Sequence, residues 1–300
     1  MKREPFLNHL KTRIKTDIFS FVVILLYAAL CVFSMIYSFS FVKIRNGLLC
    51  LLFLSFAFLI YPVEYWLKIK IVPICLVSIL FIAYGSVLGT CHEFYSRFPV
   101  FDLILHALSG LVFACCGFTL IQLLIGKPTT TKKFFACMLF GFMFTLAIAV
   151  VWELFEFSIY TIMGFDMMED SVIDGFASYL LAGNHNEIVK VDGITQTIIY
   201  YGNKQSITIN GYLDIGLLDT ITDMFICFAG SVVFVIVSTI SYFKCKKIND
   251  LLCPQLIYYS ESPFVKTKQT TQNNLNNNLG KTKTDVSKEK RNEQNSSNWL

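Results

Sequence analysis

A chain of 300 residues that is 55% hydrophobic, 15% aromatic and only 15% charged has more apolar surface than one soluble core can hide, because globular chains carry about 25% charge. It reads as an all-α polytopic membrane protein whose main partner is the lipid bilayer. The formal net charge is +4, and the basic residues gather at the ends of apolar runs instead of forming a stripe interleaved with aromatics, which argues against nucleic acid as a partner.

Residues 1 to 17 form a polar segment containing Lys2, Arg3, Lys11, Arg13 and Lys15, followed by an apolar run from Ile18 to Val42. That run exceeds the roughly 7 to 15 apolar residues of a signal peptide and lacks a small-x-small cleavage site, so a retained first transmembrane helix is expected. Ala28-Ala29-Leu30-Cys31 superficially suggests a lipoprotein box, but Leu30 stands where a small residue is needed.

Five more runs follow: Gly47 to Tyr61, Ile69 to Gly89, Leu103 to Ile125, Phe134 to Met163 and about Leu213 to Phe243. Each except the second reaches the ~20 residues that a ~30 Å hydrocarbon layer requires. The second is interrupted near Pro62 and Glu64, and becomes long enough if Tyr65 to Leu67 form its interfacial end. The expectation is a six-transmembrane-helix bundle over residues 18–243.

The short loops set an orientation. With a cytoplasmic N-terminus, the inner segments hold the first basic cluster, then Lys68 and Lys70, Lys127, Lys132 and Lys133, and finally Lys244, Lys246 and Lys247. The outer segments hold only Lys43, Arg45, Arg97, Lys190 and Lys204. This bias follows the positive-inside rule and puts both termini in the cytoplasm.

The long loop, 164–212, is expected on the outer face. Val172 to Leu181 reads as a short interfacial helix. Beyond it, Asp192-Gly193, Gly202-Asn203 and Asn210-Gly211 separate β-branched runs, the pattern of hairpin turns, so a small extracytoplasmic β-hairpin or meander is expected. Residues 244–300 read as a cytoplasmic, largely disordered tail, because from Val265 onward Lys, Thr, Asn, Gln and Ser leave little apolar surface to offset chain entropy.

Of ten cysteines, seven (Cys31, Cys50, Cys75, Cys115, Cys116, Cys137 and Cys227) fall inside apolar runs, where a thiol behaves as a small hydrophobe. Cys245 and Cys253 follow the last span. Only Cys91 lies in a predicted outer loop, with His92, Glu93, Tyr95 and Arg97, so no external disulfide framework is expected. Near the inner interface, Glu64 is placed to pair with Lys68 at i,i+4.

Three spans carry ionisable pairs at helical spacing. The fourth holds Asp102 and His106 at i,i+4, with Ser109 and Gly110 on the next turns; Gly110 and Gly117, near Ala107 and Ala114, allow close helix approach. The fifth holds Glu153 and Glu156 at i,i+3, about 16 and 12 Å below its outer end at ~1.5 Å per residue. The sixth holds Asp219 and Asp223 at i,i+4. Spans four and six enter from the side where span five exits, so all three pairs fall in the same half of the membrane.

Five carboxylates and an imidazole in a low-dielectric bundle cannot all be charged; they share protons, bind a cation or line a wet cavity. His and carboxylates on facing helices are also how bundle metal sites are built. Asp102, His106, Glu153, Glu156, Asp219 and Asp223 are therefore the candidate metal ligands, for a divalent metal, with Glu153, Glu156 and His106 the candidate catalytic groups. The plainer readings are His106 as a hydrogen-bonded packing residue, either glutamate accepting from Trp152 or a hydroxyl, and Asp219 as an ordinary first-turn helix residue.

The motifs Phe101-Asp102-x-x-x-His106-x-x-Ser109-Gly110, Trp152-Glu153-x-x-Glu156 and Asp219-Thr220-x-x-Asp223-Met224, with Gly230 following, resemble the YjdF-type family of uncharacterised bacterial integral membrane proteins. They are also distantly similar to the VanZ-like family, linked to glycopeptide resistance. The resemblance covers roughly residues 80 to 240 and implies a plasma-membrane setting. Cys227 stands where those families carry Asn, which departs from any role for that amide.

Three functions fit these residues. One is an outward-facing pocket for a cation or cationic group, working as an enzyme on an envelope or lipid-linked substrate through a metal-bound water and a carboxylate base. The second is a small proton-coupled transporter, and the third a structural or sensory membrane protein whose polar cluster fixes helix register. The sequence lacks G-x-x-x-x-G-K-[ST], H-E-x-x-H, G-x-S-x-G and a strand-borne G-x-G-x-x-G, which argues against nucleotide hydrolysis, zincin, α/β-hydrolase and Rossmann chemistry.

Overall fold

The computed structural model describes residues 5–98, 100–164, 166–244 and 247–257. The chain begins with α1 (Phe6–Thr16), then α2 (Ile18–Ser40) and α3 (Ile44–Leu67), a short β1 (Ile69–Lys70), α4 (Pro73–Cys91), the single turn α5 (Phe94–Arg97) and α6 (Val100–Ile125). After α7 (Thr131–Met163) comes an insertion of β2 (Ser171–Ile173), β3 (Phe176–Ser178), α8 (Tyr179–Ala182), β4 (Val189–Val191), β5 (Thr197–Tyr201), β6 (Gln205–Ile209) and β7 (Tyr212–Asp214). The chain closes with α9 (Leu217–Lys244), α10 (Lys247–Leu252) and β8 (Gln255–Leu256).

Among the described residues, six helices are long and apolar enough to cross a membrane: α2, α3, α4, α6, α7 and α9. Unlike a soluble protein's helices, they also expose large apolar side chains on their outer faces. Phe33, Phe58, Trp66, Leu124 and Ile162 point outward, while Ser20, Ser34, Thr119, Thr145, Ser231, Ser238, Glu64, Glu153, Glu156 and Asp223 are buried. Lipid demands this arrangement, since apolar side chains need no shelter from it and polar ones do.

The helices form two groups of three. In one, α2, α3 and α4 pack on one another around Cys31, Phe53, Leu76, Leu80 and Val87; in the other, α6, α7 and α9 do so around Ala114, Phe118, Cys137 and Phe234. Contact between α4 and α6 joins the groups. Local signals set the helix limits. Asp17 caps α2 by accepting from the Ser20 N–H, Pro73 opens α4, Thr130 caps α7 through the Lys133 N–H, and Gly164 ends α7 with φ 64°. The second span runs without a break to Leu67, with Pro62 inside it.

The insertion differs from a meander. Its strands form three separate antiparallel pairs: β2 with β7, β3 with β4, and the hairpin β5 with β6. The β5–β6 hairpin sits where the Gly202-Asn203 turn predicts it. The stretch Val172 to Leu181, expected to be an interfacial helix, instead supplies β2 and β3, with only Tyr179–Ala182 helical. Its apolar residues are used in strand pairing across the loop, a choice that local propensity cannot foresee.

Three further expectations are corrected. Residues 247–256 are part of the fold and not of a tail: β8 pairs with β1, Cys253 is buried, and the Thr119 hydroxyl donates to the Pro254 carbonyl at 2.6 Å. The remaining tail and Cys245 lie outside the described residues. Cys91 is not in a loop; it ends α4, 2% exposed, with its sulfur 3.6 Å from that of Cys50.

Glu64 does not pair with Lys68, which ends α3 in the left-handed region. It is fully buried and grips Arg13 of α1 with both oxygens, accepting from Nε at 2.7 Å and from an Nη at 2.8 Å, while the Ile71 N–H donates to it at 2.7 Å. Asp17 adds a second charge 3.5 Å from Arg13. Burial makes breaking such a pair expensive, because the partner left behind is uncompensated. Arg13→Ala should lower unfolding stability in detergent by about 3–5 kcal/mol, whereas Lys68→Ala should shift it by no more than about 0.5 kcal/mol. Thermal melts of the two variants check this, and equal melting temperatures would refute the assignment.

Candidate functional site

Small residues bring the site together. Gly110 of α6 and Gly230 of α9 meet backbone to backbone: a Cβ on Gly110 would collide with the Cys227 carbonyl, and one on Gly230 with the Ala107 carbonyl. On the other side of α6, a Cβ at Gly117 would lie 2.9 Å from the Gly141 Cα of α7. The buried Thr145 hydroxyl of α7 also donates to the Gly110 carbonyl at 3.2 Å. Helices in lipid associate through such close packing, since no hydrophobic drive separates them from the solvent.

One turn from the Gly110–Gly230 crossing, His106 stands between two carboxylates. Its Nε2 lies 3.3 Å from Asp223 Oδ2 and 3.7 Å from Asp102 Oδ1. One ligand atom from each of Asp102, His106 and Asp223 falls within 4.8 Å of the others, a spacing that could hold a metal ion. The Asp223 side chain is 3% exposed, and its Oδ1 has no hydrogen-bond partner.

The other expected residues line the same place. Asp223 faces the charges of Asp102, Asp219, Glu153 and Glu156. Glu153 and Glu156 are each 7% exposed, and both oxygens of Glu153 are buried without a hydrogen-bond partner. The Thr220 hydroxyl of α9 is near Glu153 without completing that bond, and Trp152 interacts with Glu156. Each glutamate thus has one of the partners that the plainer reading names, Trp152 for Glu156 and the Thr220 hydroxyl for Glu153, and the Glu153 bond is left incomplete.

Asp219 has two roles. The sixth helix begins at Leu217, later than expected, and Asp214 caps it by accepting from the Leu217 and Leu218 N–H groups at 3.3 and 2.7 Å. Asp219 therefore lies in the first turn, half-buried, and its Oδ2 accepts the backbone N–H of Glu169 at 3.0 Å. That bond pins the loop after α7 across the site. The same loop buries Met168 against Gly216, where a Cβ would come within 2.5 Å of the Met168 Cβ.

Glu169 was not among the expected site residues, and Tyr95, expected in an outer loop that is either exposed or part of the rim, lies at the rim. The Glu169 side chain interacts with Asp219, Asp102 and Asp166, which brings another carboxylate to the rim. The Tyr95 ring packs over Gly89, and its phenol is raised above its ordinary range, first by burial and then by Asp102, Glu156 and Glu169. Only Gly89, two residues before Cys91-His92-Glu93, hinted at this. His92 points elsewhere, bonded to the Ser34 hydroxyl at 2.9 Å and stacked on Tyr37.

Desolvation, then Asp219, Asp102 and Asp166, push the Glu169 carboxyl above its usual value. An acid raised on folding holds its proton more tightly in the folded state. Ionising it as pH climbs past the ordinary glutamate value of about 4.3 therefore removes stability. In chelator, Glu169→Gln should melt with the wild type at about pH 4 and above it near pH 7. A melting difference that does not grow with pH would contradict the crowding.

The model of a family described as "Predicted membrane protein (DUF2238)" matches residues 19–243, a stretch containing all six spans but the first residue of α2 and the last of α9. No curated protein and no solved structure matches the chain.

Proposed function

The chain belongs to this family of membrane proteins, and from that premise we propose that it binds a divalent cation at Asp102, His106 and Asp223, in a pocket open to the outside of the plasma membrane. The observation that carries this is the approach of their three ligand atoms to within 4.8 Å inside a bundle of otherwise apolar helices. A mixed imidazole and carboxylate set suits Zn, Mn or Fe. The motif resemblance extends the family reading to the YjdF-type group and, distantly, to the VanZ-like proteins.

A cation held there would polarise a bound oxygen, while a nearby carboxylate accepts a proton; Glu156, supported by Trp152, is the group assigned that task. This combination suits hydrolysis or group transfer on an envelope substrate, one that is lipid-linked or carries a cationic group drawn to the acidic rim of Asp166 and Glu169. Direct metal analysis of purified protein tests the first step. Asp223→Asn and His106→Ala should each weaken divalent-cation binding by at least the roughly 10–100-fold that losing an outer-shell partner costs. Unchanged affinity in both variants would overturn the reading.

The outward orientation rests on the Lys and Arg bias of the short loops. It puts the end where α7 finishes and α6 and α9 begin, with the β-strand insertion, outside the cell. A reporter fused after Lys247 should be active only in the cytoplasm, and one inserted at Gly202-Asn203 only outside. The opposite pattern would invert the pocket.

A further inference from the structure

Beside the His-containing triad, the geometry points to a second cation position formed by oxygen atoms alone: Glu153 of α7 with Asp219 and the Thr220 hydroxyl of α9. This inference rests on the proposed cation site and extends it from one ion to two.

Two independent observations lead there. The first is the state of Glu153. It is 7% exposed, and neither of its oxygens, each a strong acceptor, has a hydrogen-bond partner among the described residues. Elsewhere in the same bundle a buried glutamate is handled differently: Glu64, fully buried, receives three donors from Arg13 and Ile71. Glu153 is not among the three residues whose ligand atoms converge at His106, so an ion there would leave it unanswered.

The second observation is charge. Among the described residues, the strongest electrostatic partners of Asp102, Glu153, Glu156, Asp219 and Asp223 are one another, other loop carboxylates and His106, with no Lys or Arg. One divalent ion at the triad compensates two of these five carboxylates and leaves the α7 side unbalanced. A second divalent ion on that side brings the cluster near neutrality, which a low-dielectric site requires.

The donors also fit together. Asp219 accepts the Glu169 N–H through Oδ2, so a cation would take its Oδ1. Glu153 offers two oxygens, and Thr220, next to Asp219 on α9, offers a hydroxyl already near Glu153. An all-oxygen set favours a hard ion such as Mg2+ or Mn2+, in contrast to the imidazole-bearing triad. Paired ions of this kind suit a substrate with a phosphoryl group, one ion activating the nucleophile and the other steadying the leaving oxygen.

Manganese bound per chain, measured on purified full-length protein stripped with chelator and dialysed against Mn2+, tests the inference. The expected result is two equivalents in the wild type and one in Glu153→Gln, with His106→Ala also retaining one. A single equivalent in the wild type overturns the second position, and leaves the first standing if His106→Ala abolishes it. Two equivalents persisting in Glu153→Gln, or none remaining there, also overturn it, and none in the wild type removes both sites. If Glu153→Gln does not elute as folded protein, Asp219→Asn, which keeps the acceptor for the Glu169 N–H, serves in its place with the same expected loss of one ion.

Discussion

The backbone contact between Gly110 and Gly230 is the constraint on which the rest of the site depends. With no side chain between them, α6 and α9 are held in one register, and that register sets Asp102 and His106 opposite Asp219 and Asp223. The third wall is keyed to the same point, because Thr145 of α7 donates to the Gly110 carbonyl and Gly141 seats against Gly117. In lipid, where apolar side chains give helices no reason to prefer one another, close backbone approach and buried hydrogen bonds select the partner and its depth.

The two ends of the bundle use buried glutamate in opposite ways. Where α3 ends, Glu64 is closed off by Arg13 and the Ile71 N–H, so its charge ties α1 to the bundle and is spent on structure. Where α7 ends, Glu153 and Asp223 keep oxygens free under a loop that Asp219 pins through Glu169. Both cases place a carboxylate among apolar helices. The difference lies in whether donors come with it, and that difference separates a structural ion pair from a candidate binding site.

The loop over the site links the membrane bundle to the β-strand insertion. Met168 packs on Gly216, β2 pairs with β7, and Asp214, the last residue of β7, caps α9. A movement of the insertion would therefore reach Asp219 through two short connections. Tyr95 closes the neighbouring side from α5, seated on Gly89. The rim is thus built from segments that look like ordinary connecting loops when read one at a time.

Six spans and the three ionisable pairs were legible in the amino-acid order because both depend on local quantities: the length of an apolar run against bilayer thickness, and the spacing of polar residues against the helical repeat. The Gly202-Asn203 hairpin was legible for the same reason. Partner choice was not. Glu64 has Lys68 at the right helical spacing, yet Arg13, 51 residues away, takes it; Val172 to Leu181 reads as one short apolar run, yet β7 and β4 draw half of it into strands. Cys91 seemed isolated until α3 brought Cys50 beside it. Which side chains had to turn inward was already settled by the amino-acid order, because lipid penalises charge wherever it occurs along a span. That His106 meets Asp223, and that Glu153 has only the Thr220 hydroxyl nearby and no completed hydrogen bond, came from the packing of three helices, whose closeness is set by glycines and hydroxyls far apart in the chain.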